Sequence, residues 1–256
     1  MGIRKNIFRL IIIGLSSIFV LPVIPEPSPE KSSSIDGNKA IIFCLHDIDG
    51  AGRYSLTKKQ LESIFKYLEN KFEVLSLQEW KRKIENNKPF QKHPVILTFD
   101  DGTPAVRKIV TPMLLKYGFG ATLFIYLDRY SDHSTFFTFL KELPTTIEVG
   151  SHSFSHSDLK KLYKKDPKVF YKELFLSRKK LEYLIHKKVE SFAWPYGSYA
   201  EEMVDLARKA GYTIQVSTDY TKANYKEDLI LARFTLESKD PLERVKKVIE
   251  KNFPDL

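Results

Sequence analysis

The stretch VILTFDDGTP, residues 95–104, leads five strand-forming residues directly into two adjacent carboxylates and a glycine. In α/β proteins, ligands bind at the carboxyl ends of strands and in the loops that follow them. Asp100 and Asp101 lie at such an end, so we expect both to be functional. Because adjacent carboxylates repel each other, and burying either without a partner is costly, a nearby cation is the expected resolution.

Outside this stretch, short apolar runs alternate with amphipathic segments, a pattern typical of parallel strands joined by helices. The strands are predicted at residues 40–45, 74–77, 95–99, 121–126, 147–150, 191–194, 213–217 and 229–236. Helices are predicted at residues 105–116, 167–186, 199–210 and 241–252, and two more begin near Thr57 and Ser76, each followed three residues later by Gln or Glu. Seven or eight such units favour a barrel over an open sheet, because a parallel barrel collects its strand ends in one mouth.

A second motif, GSHSFSHSD at residues 150–158, follows the predicted strand 147–150. His152 and His156 are four residues apart, and on a helical turn two such imidazoles face the same way and can share a metal ion. With one carboxylate they form a set of two histidines and an aspartate that leaves positions open for water and substrate. Alone, an Asp pair is often a helix cap and a His pair often has no function, but together at strand ends they favour a catalytic metal site.

Two further segments end predicted strands. SFAWPYGSY, residues 191–199, predicts a turn at 194–197 that presents the backbone N–H and ring of Tyr196 at the mouth, although a surface turn with a core tryptophan is the plainer alternative. FCLHDIDG, residues 43–50, places His46 after the first strand, facing the same mouth. The other histidines, His93, His133 and His186, are assigned to the surface.

The composition fits one globular domain, with 43% hydrophobic residues in 256. Cys44 is the only cysteine, so an intramolecular disulfide is excluded, and its apolar neighbours predict a core thiol. The net charge is +9, with basic patches at residues 159–168 and 177–180. These patches are interpreted as solvated helix faces, or alternatively as surfaces that attract anionic envelope polymers or headgroups. We see no nucleic-acid motif and expect a monomer without a nucleic-acid partner.

The first 38 residues have the layout of an export signal. Arg4, Lys5 and Arg9 precede an apolar run at residues 10–24, and prolines and serines follow. The run is short for a membrane span of about 20 residues, yet no clear cleavage site follows it, so a cleaved signal and a retained membrane anchor both remain open. We expect a signal or anchor at 1–24, a linker at 25–38 and a domain at 39–256, located outside the cytoplasmic membrane.

Together the motifs TFDDG (98–102), SHSFSH (151–156) and FAWPYG (192–197) resemble the first three motifs of the polysaccharide deacetylases of carbohydrate esterase family 4, the NodB-homology domain. The resemblance extends over residues 40–236. It implies a distorted (β/α)7 barrel that hydrolyses N-acetyl groups on an amino-sugar polysaccharide with a divalent metal, usually zinc. It assigns Asp101, His152 and His156 to the metal and Asp100 to the catalytic base. It also assigns the Tyr196 N–H to the oxyanion, and Trp194, Pro195 and Tyr196 to the substrate.

The chain departs from the family pattern at two places. Ala193 stands where many members carry an arginine that pairs with the base, a feature shared with the branch that deacetylates poly-β-1,6-N-acetylglucosamine, which also tends to carry a histidine at the position of His46. The late Leu-x-His motif, whose histidine protonates the leaving amine, is absent, since the corresponding strand reads LARFTLES (231–238). The general acid is therefore open between His46 and Asp100 returning its proton, and Asp219 matches the acidic fourth motif only loosely.

These departures keep two alternative functions open. One is an O-acetyl esterase on an acetylated glycan, because attack on an acetyl ester is chemically easier. The other is a catalytically silent glycan-binding module, against which the retention of both aspartates and both histidines argues. Cobalt, nickel and manganese also suit the expected ligands.

Overall fold

The computed structural model describes residues 35–130, 134–218, 224–225, 228–254 and 256. The predicted export segment and most of the predicted linker lie outside these residues. The strands are β1 (Lys39–Leu45), β2 (Asp47–Ile48), β3 (Ser55–Leu56), β4 (Glu73–Leu75), β5 (Pro94–Phe99), β6 (Ala121–Ile125), β7 (Ile147–Ser151), β8 (Ser191–Ala193), β9 (Ile214–Ser217), β10 (Asn224–Tyr225), β11 (Leu231–Ala232) and β12 (Phe234–Thr235). The helices are α1 (Lys58–Glu69), α2 (Leu77–Glu85), α3 (Thr111–Tyr117), α4 (Ser134–Glu142), α5 (Leu159–Lys165), α6 (Pro167–Ile185), α7 (Glu201–Lys209) and α8 (Pro241–Asn252).

The strands form a nearly closed parallel barrel. β1, β5, β6, β7, β8, β9 and β11 pair in that order, each parallel to the next. β12 pairs in parallel with β1, and only Arg233 separates it from β11, so the last strand segment bridges β9 and β1 and closes the ring. The predicted distorted barrel is confirmed. β4 adds to the first half of β5, and β10 runs antiparallel beside β1.

Successive side chains along each strand point to opposite faces of the sheet, and this alternation divides the core into two layers. On β1, Ile41 and Phe43 belong to the large cluster packed under the helices, whereas Ile42 belongs to a smaller cluster on the opposite strand face, inside the barrel. Leu77 and Trp80 of α2 complete that inner cluster and fill the end of the barrel that lies away from the strand carboxyl ends. The other end is left to polar side chains, which is where the functional motifs converge.

The local signals were partly predictive. Thr57 forms the expected capping box, accepting from Gln60 N at 3.2 Å while its own N–H donates to Gln60 Oε1 at 2.8 Å. The predicted strand 74–77 stops at Leu75, because Ser76 caps α2. The predicted strand 229–236 is split at Arg233, and α4 and α5 were not predicted.

None of the helices in the described part of the chain has the length and apolar run needed to cross a membrane.

Candidate active site

The turn after β5 separates the two aspartates. Asp101 and Gly102 both have left-handed backbone conformations, with φ of +69° and +62°. A Cβ at residue 102 would stand 2.7 Å from Ile125 Cδ1, so glycine suits this position both conformationally and sterically. The turn leaves the Asp100 carboxylate buried, with 3% of its side chain exposed, whereas 25% of the Asp101 side chain is exposed.

Asp101 meets both motif histidines, as predicted from the sequence. His156 Nε2 lies 3.3 Å and His152 Nε2 3.7 Å from Asp101 Oδ1. One donor atom from each of these residues lies within 4.8 Å of the other two, which is a spacing that a single metal ion can bridge. His152 Nε2 is also 3.7 Å from Asp100 Oδ2, so the second aspartate adjoins the group.

The two histidines are brought together by a loop and not by a helical turn, so that part of the prediction was wrong. Ser153 and His156 have φ of +70° and +59°, which no helix accommodates. Buried Glu173 of α6 shapes the loop by accepting from the backbone N–H groups of Phe154 and Ser155 at 3.0 and 2.9 Å and from the Ser155 hydroxyl at 2.7 Å. The loop conformation therefore depends on a carboxylate from a different element.

The His152 ring is fixed in one tautomer. Its Nδ1 lies 2.8 Å from the carbonyl oxygen of Ala193, and because a carbonyl only accepts, Nδ1 carries the proton and Nε2 offers its lone pair toward Asp101. Burial lowers the pKa of His152 to about 4, although the nearby Asp100 and Asp101 charges oppose the shift. His152 is therefore neutral at pH 7, as metal ligation requires.

Arg233 is the arginine partner of Asp100. Its Nη1 donates to Asp100 Oδ1 at 2.6 Å and its Nη2 to Asp100 Oδ2 at 2.8 Å, and both side chains are buried. Nη1 also donates to Thr98 Oγ1 at 3.0 Å. The arginine expected before the motif-three proline and missing at Ala193 thus has a counterpart in the closing strand. The sequence signal was a charged residue inside the apolar run ILARFTL, 230–236, because a buried arginine requires a partner.

Charge decides the ionisation of both aspartates. Burial alone would raise the pKa of Asp100, but the Arg233 charge, together with His152, outweighs it and holds that pKa well below its usual range. Burial would likewise raise the pKa of Asp101, but the adjacent His156 and His152 imidazoles outweigh it and lower that pKa. Both groups are therefore carboxylates at neutral pH.

Of the remaining predicted residues, His46, Trp194 and Tyr196 line one cavity of about 320 Å3 at this end of the barrel. His46 lies on its wall beside Tyr54, with ring centroids 5.2 Å apart, and its Nδ1 is buried without a hydrogen-bond partner among the described residues. Tyr196 is 67% exposed at the rim, with φ of +59°, and its ring packs 4.8 Å from that of His156. Trp194 and Pro195 are buried, and the Trp194 indole donates to Gln215, so these two residues support the rim from beneath.

A second cluster of potential ligands is less suitable for a metal. Cys44, His46 and Asp100 offer donor atoms within 4.8 Å of one another. Both Asp100 oxygens are already bound to the Arg233 guanidinium, whose charge would repel a cation. Burial raises the pKa of the Cys44 thiol, consistent with the predicted core thiol. The first cluster is therefore the candidate metal site.

Two residues named from the sequence, Asp219 and His133, lie outside the described residues. The geometry reveals one further contact that the sequence did not indicate. The Tyr130 hydroxyl donates to the carbonyl of Gly102, the residue after Asp101, and so ties the turn to the segment after β6.

Comparison with known proteins agrees with this geometry. The family model described as polysaccharide deacetylase matches residues 87–215, which include all three motifs. The Bacillus subtilis (strain 168) protein YxkH, named as a polysaccharide deacetylase, is 29% identical over 185 residues, or 71% of this chain and 65% of its own length. The match thus spans slightly under two thirds of that relative.

For two further proteins, the match with this chain spans a larger share of their own length. The poly-β-1,6-N-acetyl-D-glucosamine N-deacetylase of Staphylococcus aureus (strain MRSA252) is 26% identical over 242 residues, covering 79% of this chain and 83% of that protein. The solved structure of the Streptococcus pyogenes deacetylase PplD in complex with acetate has a TM-score of 0.72 and 22% identity, covering 83% of this chain and 98% of that one. The family match spans half of the chain and contains the Asp and His motifs of the site, so the chain belongs to the polysaccharide deacetylase family.

Proposed function

We propose that this protein is a metal-dependent hydrolase that removes N-acetyl groups from an amino-sugar polysaccharide. The observation that carries the proposal is the convergence of Asp101, His152 and His156 beside a buried carboxylate that an arginine holds in place. A binding module has no evident need for a fixed base next to a metal site, which disfavours the silent alternative.

The ligand residues fit a divalent metal. Asp101 Oδ1 is buried and has no hydrogen-bond partner among the described residues, although two imidazole nitrogens face it. With His152 protonated on Nδ1, its Nε2 lone pair and the Asp101 oxygen face each other without a proton between them, and a cation relieves that repulsion. Mixed nitrogen and oxygen ligands suit zinc, and also cobalt, nickel or manganese.

A divalent cation at these residues would act as a Lewis acid on the acetyl carbonyl and lower the pKa of the attacking water. Asp100 lies next to this position and can take the proton as the water attacks. Its lowered pKa makes it a weaker base than a free carboxylate, but the two bonds from Arg233 fix its orientation. The contact with Arg233 thus lowers the basicity of Asp100 and fixes the position of its carboxylate.

The oxyanion that forms needs hydrogen-bond donors. We assign one to the Tyr196 backbone N–H, in the left-handed turn at the rim of the cavity. Loss of such a donor typically costs about 3 to 4 kcal/mol of transition-state stabilisation. The leaving amine needs a proton, for which His46 on the cavity wall is our first candidate and Asp100 the second.

The substrate assignment draws on the S. aureus relative, whose name specifies poly-β-1,6-N-acetyl-D-glucosamine. Tyr54 and Tyr196, 41% and 67% exposed, offer aromatic surfaces at the cavity on which sugar rings can stack. Trp194 and Pro195 contribute by supporting this rim. We further propose that residues 1–24 direct export, with residues 25–38 as a linker, so that the enzyme acts outside the cytoplasmic membrane as a monomer.

The alternative of an O-acetyl esterase is favoured by one observation, the absence of a histidine after His186, because an ester leaving group needs an acid less than an amine does. Acetate release from N-acetylglucosamine oligomers, β-1,6 and β-1,4 linked, is to be compared with release from O-acetylated xylan oligomers. Faster release per enzyme from the N-acetyl oligomers is the expected result. Release from the O-acetylated oligomers alone would replace the amidase assignment by the esterase one.

A further inference from the structure

The hairpin of α5 and α6, residues 158–188, carries most of the net positive charge of the protein. It contains eleven Lys and Arg side chains and four Asp and Glu side chains, a surplus of seven out of the chain's nine. The rest of the chain is nearly neutral. Such concentration on one surface element produces a local field that attracts anionic partners.

The four acidic side chains of the hairpin are engaged in structure. Asp158 and Asp166 cap α5 and α6, Glu173 accepts from the histidine loop, and Glu182 pairs with Arg178 at 2.9 Å. Lys161 pairs with Asp158 at 3.2 Å, and Lys179 lies 3.9 Å from Glu182. The other exposed lysines of the hairpin form no ion pair with the described residues; they are Lys160, Lys164, Lys165, Lys168, Lys172 and Lys180.

A line of exposed apolar side chains runs along α6 between these lysines. Val169, Leu176 and Tyr183 are 37%, 45% and 79% exposed. They are seven residues apart, which keeps them within about 40° of one another around the helix axis. Lys172 and Lys179 border this line on one side. We call the apolar line and its bordering lysines the α6 face.

We propose that the α6 face docks the folded domain onto an anionic lipid surface. A soluble polyanion would gain only from the lysines, whereas an interface of headgroups and acyl chains rewards both kinds of side chain. The apolar residues can enter the acyl boundary while the lysine stems extend to the headgroups. The contact is peripheral, with the helix lying on the surface.

The hairpin begins beside the cavity that contains the candidate metal site, so docking would also position that cavity. α5 begins at Leu159, three residues after His156, and the Ser198 hydroxyl donates to Asp158 at 3.3 Å, joining the start of the hairpin to the turn that carries Tyr196. Docking would therefore hold the cavity near the lipid surface. The docking itself requires no assumption about the reaction.

The test must report on the hairpin itself, because residues 1–24 of the full chain are predicted to be an export signal or a membrane anchor. A polarity-sensitive thiol-reactive fluorophore is attached to Leu176→Cys and, as the matched control, to Leu115→Cys on α3, a leucine of similar exposure (55%). Native Cys44 is fully buried, so we expect it not to take the label. Each labelled full-length protein is mixed with phosphatidylcholine vesicles, with or without about one third phosphatidylglycerol.

The expected result is a blue-shifted, brighter emission from position 176 with the anionic vesicles only, and no change from position 115. Replacing Lys172 and Lys179 by Gln should weaken this response at least about tenfold, whereas the same change at the exposed Lys59 and Lys247 should not. Three outcomes would overturn the proposal: silence at position 176, an equal response at both positions, or complete displacement by soluble polyphosphate at the same phosphate concentration.

Discussion

Arg233 binds both carboxylate oxygens of Asp100, at 2.6 and 2.8 Å, across 133 positions of sequence. Arg233 lies between β11, which pairs with β9, and β12, which pairs with β1. The residue at the closure of the barrel therefore also orients the proposed base. Because the pair is buried, each partner depends on the other for charge compensation. Fold closure and the proposed chemistry are thus coupled through one ion pair.

Replacing Arg233 by Lys should lower kcat about tenfold to a hundredfold, because an ammonium keeps the charge but cannot hold two oxygens in fixed geometry. Arg233→Ala should in addition lower the free energy of unfolding by about 3 to 5 kcal/mol, since Asp100 is left buried and unpaired. Steady-state kinetics and urea unfolding measure the two effects.

Arg178→Lys is the matched control for Arg233→Lys. Arg178 also binds a carboxylate and backbone carbonyls, those of Val189 and Ala210, but away from the cavity. This variant should change stability without changing kcat. A wild-type kcat in Arg233→Lys would show that the orientation of Asp100 does not matter.

Replacing His46 by Gln tests the assignment of the general acid. If His46 protonates the leaving amine, kcat on an N-acetyl substrate should fall about 10²- to 10⁴-fold, with a much smaller loss on an aryl acetate, whose leaving group needs no proton. The ratio of the two rates is the measurement. Equal losses on both substrates would speak against His46 as the acid and favour Asp100 returning its proton.

Replacing Tyr130 by Phe removes the hydroxyl that holds the carbonyl of Gly102 and keeps the ring stacked on Phe136. Burial raises the pKa of Tyr130 to about 12, so the hydroxyl is a donor at neutral pH. We expect a loss of about 1 kcal/mol in stability and a several-fold weaker zinc affinity, because the turn carries Asp101. Titration calorimetry measures the zinc affinity, and Tyr183→Phe, at an exposed ring, is the control. Unchanged zinc affinity would leave Tyr130 a purely structural role.

Replacing Glu148 by Gln tests a buried charge in the barrel interior. Glu148 accepts from Ser191 Oγ and from the Gln78 N–H, both at 2.7 Å, and burial raises its pKa. Its protonated form is favoured by folding, so its stabilising contribution is full below the unfolded pKa of about 4.3 and is lost as the pH rises through the raised folded value. The wild type should therefore lose stability relative to Glu148→Gln between about pH 4.5 and pH 7. Urea unfolding across this range measures the difference, and a constant or inverted difference would contradict the prediction.

The sequence was informative wherever function and fold share a local pattern. Apolar runs ending in polar motifs located the ends of β5, β7 and β8, and the order of the motifs placed Asp101, His152 and His156 at one mouth. Periodicity failed for the histidine loop, because the left-handed Ser153 and His156 conformations depend on Glu173 from α6.

Arg233 could not be assigned from the sequence because its role follows from ring closure. Its position in an apolar run indicated a buried charge, but the partner was set by which strand lies beside β1. The contact between Tyr130 and Gly102 is likewise not indicated by the sequence, since it joins the loops that follow the neighbouring strands β5 and β6. Long-range contacts of this kind need the tertiary structure.

The most direct test of the central claim is a zinc titration combined with acetate release from N-acetylglucosamine oligomers, for the wild type, Asp101→Ala and Asp100→Asn. The wild type should bind one zinc ion per chain, and its activity should vanish on chelation and return with zinc. Asp101→Ala should lose both binding and activity, whereas Asp100→Asn should keep the zinc and lose the activity. Undiminished acetate release from Asp101→Ala, or from zinc-free wild type, would contradict the account.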